Sequence, residues 1–154
     1  MKNKIIIIPF REELSNHFRD LNIDWLEKYF FVEDHDKEVL GNAKKYIIDK
    51  DGYIFFALYN TKVVGTVALM NENEGYELTK MAVSPDYQGL KIGQLLLQHC
   101  IDFAISNQWD KLLLYSNTVL ENAIYIYKKY GFKEVELEPD SPYLRSNIKM
   151  VLNL

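Results

Sequence analysis

The residues with the most chemistry in this sequence run from Met81 to Gly93. Met81-Ala82-Val83 closes an apolar strand at Ser84-Pro85, the chain turns through Gln88-Gly89-Leu90-Lys91-Ile92-Gly93, and an apolar helix starts near Gly93. A glycine-containing loop at a helix start points several free N–H donors to one spot where the helix dipole is also positive. That geometry binds a pyrophosphate. The loop is neither GxxxxGK followed by Ser or Thr nor GxGxxG, so P-loop and dinucleotide-fold readings have no support. Other reactive residue types lack partners. His17, His35 and His99 are scattered, and Ser84, Ser116 and Cys100 lack the context of a nucleophile elbow or a Cys/His pair. No covalent nucleophile is indicated. The single cysteine leaves no internal disulfide and no Cys/His metal cluster, so a metal-free site in a reducing cytoplasm is expected.

The elements that must position this loop are legible from periodicity. Ile5 to Ile8 reads as a buried strand ended by Pro9, after which Glu12 to Tyr29 reads as two short helices interrupted at Asn22 and Asp24. Asp36 to Lys50 reads as one further helix stopped by Asp51-Gly52. Tyr53 to Tyr59, Val63 to Met70 and Tyr76 to Val83 form an antiparallel meander, with Glu77, Thr79, Met81 and Val83 placed on one face by alternation. Gly93 to Ser106 is the clearest helix. Lys111 to Tyr115 follows as a strand, and Asn122 to Tyr130 as a helix capped by Gly131. Phe132 to Leu137 and Asn147 to Leu152 pair as last strands around Pro139-Asp140-Ser141-Pro142. The order implies a mixed α/β (α+β) sheet in which one strand-helix-strand crossover makes two strands parallel, with a ligand crevice near their carboxyl ends.

At 154 residues, 48% apolar and 14% aromatic, the chain suits one folded domain over residues 1–154. A net charge of -4 argues against nucleic acid or an anionic membrane as partner and leaves cationic amines open. Met1-Lys2-Asn3-Lys4 before the isoleucines superficially suggests a leader, but Pro9, Arg11, Glu12 and Glu13 cut the apolar run short. No stretch approaches the roughly 20 apolar residues of a membrane span.

Gln88 to Gly93 resembles the acetyl-CoA motif of the GNAT N-acetyltransferase superfamily: Gln or Arg, two residues, Gly, one residue, then Gly or Ala. Ala82, Val83 and Pro85 match its flank. The motif's middle glycine is Lys91 here, so that peptide is expected to avoid the positive φ that glycine allows. Ala123 to Phe132 is similar to the family's Ala-Ile-x-Leu-Tyr-x-Lys-x-Gly-Phe segment, with Ile126 for Leu. The resemblance puts Tyr127 on the family's tyrosine, which protonates the leaving thiolate; the alternative is that Tyr127 packs its helix. The spacing of Glu77 from Val83 is like that of the family's glutamate base, the alternative being a solvated carboxylate paired with Lys80 or another lysine. The family's Asn before this helix falls on Leu120, leaving Asn117 and Asn122 nearby for the pantetheine amides.

The resemblance implies a central, mostly antiparallel mixed sheet of roughly six or seven strands flanked by about four helices. It implies acetyl-CoA as cosubstrate, held by Met81, Ala82, Val83, Gln88, Gly89, Leu90, Lys91, Ile92, Gly93 and Asn117 or Asn122. It further implies direct transfer to a primary amine of a small molecule or peptide, with Glu77 and Tyr127 as base and acid. A non-catalytic acyl-CoA-binding module on the same fold is the alternative. Acceptor contacts are expected from Trp25, Tyr29, Phe30, Phe31 and the Pro139 to Arg145 loop. Relatives are often homodimers, which leaves oligomeric state open.

Overall fold

Ile5–Pro9 (β1), Tyr53–Tyr59 (β2), Lys62–Glu72 (β3), Gly75–Val83 (β4), Lys111–Ser116 (β5), Lys133–Val135 (β6) and Ile148–Asn153 (β7) join in one sheet, in the order β1-β2-β3-β4-β5-β7-β6. The helices are Ser15–Tyr29 (α1), Asp34–Gly41 (α2), Ala43–Tyr46 (α3), Ile92–Ser106 (α4) and Glu121–Lys129 (α5). This computed structural model describes residues 4–141 and 143–154. Met1 to Asn3, weighed above as part of a leader, and Pro142 of the acceptor loop lie outside the described residues. Every strand pair is antiparallel except β4 with β5, which α4 joins by a crossover.

The sheet separates two cores. Phe55 and Ala57 of β2 face α4 and α5, where Leu96, Leu97, Cys100, Ala104 and Ile124 are buried. Ile54 and Phe56, the alternate residues of the same strand, face Phe18, Leu26, Val39, Leu40 and Ala43 of α1 to α3. Period-2 alternation in β2 thus feeds both layers. Among the described residues no helix is long and apolar enough to cross a membrane.

Three expectations are corrected. β1 is an edge strand, and Ile6 is 41% exposed; a continuous β-branched run does not require both faces to be covered. α1 is one helix through Asn22, because this buried side chain donates its amide N–H to the Phe18 carbonyl 2.9 Å away instead of ending the helix. The predicted helix from Asp36 to Lys50 is broken. It ends at Gly41, and Asn42 caps α3 by accepting from the Lys45 N–H. Gly131 does close α5, at φ 103°.

Leu96 is fully buried between α4 and the sheet, whereas Ile105 on the same helix is largely exposed. Leu96→Ala is expected to cost about 2–5 kcal/mol in urea unfolding, and Ile105→Ala under about 0.5 kcal/mol. Equal losses would place α4 wrongly on the sheet.

Candidate active site

β4 and β5 pair only at Tyr76 with Leu112 and Glu77 with Leu113. Beyond these residues the strands part. The cause lies in β4, whose register with β3 slips between Thr66 and Ala68 and whose Lys80 sits at φ 56°. A bulge of this kind bends a strand and raises its local twist. It also shifts the side-chain phase. Leu78, Met81 and Val83 pack into the α4 core, while Lys80 turns to Asp36 of α2 on the opposite face. The expectation that Glu77, Thr79, Met81 and Val83 share a face therefore fails, since strict alternation holds only along an unbroken strand.

The gap is a cleft of about 500 Å³. Met81, Ala82 and Val83 line one wall, Gln88, Gly89, Lys91, Ile92 and Gly93 line one end, and Asn117, Asn122 and Tyr127 line the other wall. Two predicted residues are absent from it. Leu90 turns to solvent, 49% exposed, and Glu77 lies behind the wall at 3% exposure. Asn117 spends its side chain on two loops: it donates to the Arg145 carbonyl after β6 at 2.7 Å and accepts from the Val119 N–H of its own loop at 2.9 Å. Asn122 is exposed and makes no side-chain hydrogen bond among the described residues.

Lys91 corrects a second expectation. It adopts φ 60° and ψ 28° at the start of α4, the left-handed conformation it was expected to avoid. The reversal of the chain between Gly89, at φ 89°, and the first helical turn imposes this, at roughly 1 kcal/mol for a residue with a Cβ. The Lys91 carbonyl accepts the Leu95 N–H at 3.0 Å. No side chain caps the helix, so the N–H groups of Ile92, Gly93 and Gln94 remain as donors at its positive end.

Tyr127 is half-buried, its ring 5.9 Å from that of Phe132. Burial pushes its pKa up to about 12, so the phenol keeps its proton at neutral pH. Tyr115 also lines the cleft, with its hydroxyl donated to Glu138 at 2.9 Å.

A buried polar cluster adjoins the cleft: Arg145, Lys80 and Tyr143 belong to its lining, and Asp36 and Glu33 lie behind them. Arg145 meets Asp36 at 2.6 and 3.0 Å and Glu33 at 2.9 Å. Lys80 Nζ lies 3.3 Å from Asp36 and 3.4 Å from the Tyr143 hydroxyl. Burial disfavours the Asp36 carboxylate, but the Arg145 hydrogen bonds and the Lys80 charge outweigh it and hold its pKa below the ordinary value. Burial also lowers Lys80 and pushes Glu77 up to about 7, against the opposing pull of Lys80. Glu77 is thus no solvated strand carboxylate. Sequence reasoning missed Asp36 as a site residue, because its contact with Lys80 spans 44 positions; the only local signal was its reciprocal capping with Glu33.

Residues 50–134 match the family described as "Acetyltransferase (GNAT) domain". A probable N-acetyltransferase, camello, of Xenopus tropicalis is 30% identical over 105 residues, 66% of this chain and 48% of that protein. The chain spans about half the length of this relative. A GNAT-family acetyltransferase structure from Staphylococcus aureus superposes with a TM-score of 0.84 at 25% identity, covering 97% of this chain and 99% of that one. A GNAT-family structure from Elizabethkingia anophelis with acetyl-CoA bound gives 0.74 at 22% identity, covering 99% and 100%.

The raised Glu77 acid sets a pH dependence. Stability from this group is fully present below its unfolded value near 4.5, falls as pH rises toward about 7, and is level above that. Glu77→Gln is therefore expected to gain on the parent by a few kcal/mol between pH 4.5 and 7. Parallel stability profiles would show that Glu77 does not titrate in this way.

Proposed function

Since the chain belongs to the acetyltransferase (GNAT) domain family, we propose that it transfers the acetyl group of acetyl-CoA directly to a primary amine. The observation that carries this reading is the parting of β4 from β5, which opens one cleft with free helix-start N–H donors at its end and Tyr127 on its wall. Acetyl-CoA would supply an activated thioester, so alignment with a neutral amine provides much of the rate.

Each part of the cleft has a task in this reading. The N–H groups of Ile92, Gly93 and Gln94 and the adjacent Lys91 ammonium suit a pyrophosphate. Past Glu77 the β5-side edge of β4 has no strand partner, so its backbone groups can receive a pantetheine arm and an N–H near Val83 can polarise the thioester oxygen. Asn122 is the better placed amide for that arm, because Asn117 is already engaged.

The pKa of Tyr127 refines its role. A phenol near 12 gives its proton to a thiolate near 8.5 only uphill, so its contribution is hydrogen-bond donation to the leaving sulfur. The sulfur leaves as a thiolate that takes its proton from solvent, and the attacking amine gives up a proton of its own. Glu77, poised near 7 behind Thr79 and Tyr143, accepts it through a hydroxyl or a water. This indirect seat is also the observation that favours a non-catalytic acyl-CoA-binding module, which would bind without turnover.

Millimolar acetyl-CoA is expected to raise the melting temperature, and thiol release is expected with an accepted amine. Tyr127→Phe is expected to keep the acetyl-CoA shift while lowering kcat by about 10²-fold. Binding without thiol release would favour the module, and full turnover by Tyr127→Phe would remove the tyrosine from the chemistry.

A further inference from the structure

The charges that line the cleft are all of one sign. Among the described residues its walls carry Lys80, Lys91 and Arg145 and no Asp or Glu. Lys91 belongs to the helix-start end. Lys80 and Arg145 sit with Tyr143 at the other, beside Trp25 and Phe30 of α1 and the segment after it. The carboxylates that neutralise them, Asp36 and Glu33, are not part of the cleft wall.

Arg145 keeps hydrogen-bond donors that its own carboxylates do not use. Arg145 uses both Nη1 hydrogens and one on Nη2 for Asp36 and Glu33. Its Nε–H and one Nη2–H have no partner among the described residues, since a guanidinium has five N–H donors. Lys80 is spent on Asp36 and Tyr143, and with its side chain only 2% exposed its ammonium faces this cluster and not the cleft. The cleft therefore presents cationic donors and no acceptor carboxylate. A polyamine would set a second ammonium against like charge with nothing to receive it.

Resting on the acetyl-transfer reading, we infer that the acceptor is a primary amine that carries its own carboxylate and an apolar or aromatic side chain, in the manner of a free amino acid. The carboxylate takes the unspent donors of Arg145 in charge-assisted hydrogen bonds. The side chain packs on Trp25 and Phe30, whose rings lie 5.7 Å apart. The net charge of -4 leaves cationic acceptors open; the local lining reverses that preference.

The test compares thiol release by the full chain with L-phenylalanine, L-phenylalaninamide, phenylethylamine and spermidine at saturating acetyl-CoA. L-phenylalanine is expected to exceed each of the others by about tenfold or more in kcat/KM. Arg145→Met, in which Asp36 keeps Lys80, is expected to shrink that margin, and Arg145→Lys to retain part of it. Equal or faster turnover of spermidine or phenylethylamine would overturn the assignment, as would an unchanged margin in a folded Arg145→Met. If no amine is acetylated although acetyl-CoA still raises the melting temperature, the acceptor assignment fails and cosubstrate binding stands. If acetyl-CoA gives no shift, the transfer reading fails with it.

Discussion

The cleft exists because β4 cannot stay beside β5. One left-handed residue inside a strand, Lys80 at φ 56°, ends the pairing after Glu77 and swings the rest of β4 away. That conformation is costly for a residue with a Cβ, so neighbours must hold it. Asp36 and Tyr143 grip the Lys80 ammonium, and Arg145 grips Asp36 in turn. A buried ion pair adds little net stability once desolvation is counted. Its effect here is directional, tying the bulge, α2 and the loop before β7 into one arrangement.

From this constraint follows a cleft with two unlike ends. At one, a helix start with free N–H groups, Gly89 and Lys91 offers donors, mainly from the backbone, that suit an anion. At the other, side-chain cations stand before their buried carboxylates. Between them the unpaired edge of β4 faces Tyr127 across the gap. The same bulge that opens the gap turns Glu77 away from its wall, which is why proton removal in the proposed reaction is relayed.

Much of this was readable in the sequence, for physical reasons that differ by element. The β2–β3–β4 meander, α4 and α5 were read correctly because period 2 and period 3.6 register over their full length. The loop from Gln88 to Gly93, Leu90 excepted, and Tyr127 fall on one cleft, and they were legible because they are contiguous or on one short helix. What failed was what depends on distant contacts. A bulge leaves no trace in a strand's composition, so the facing of Met81 and Val83 was misassigned. Asn22 and Asn42 are alike in propensity, yet one serves a helix interior and the other a cap, according to what surrounds them. Lys91 was expected to shun a conformation that the turn into α4 imposes. The cluster of Asp36, Lys80, Tyr143 and Arg145 joins segments far apart in sequence and was invisible to any local pattern.

The central claim is that an acyl-CoA lies along β4 with its phosphates at the start of α4, and amide hydrogen exchange with and without acetyl-CoA tests it most directly. The account predicts slowed exchange at Ile92, Gly93 and Gln94 together with residues of β4 past the bulge, and little change in β1 or β2. Acetyl-CoA binding that leaves the amides at the start of α4 unprotected would contradict it.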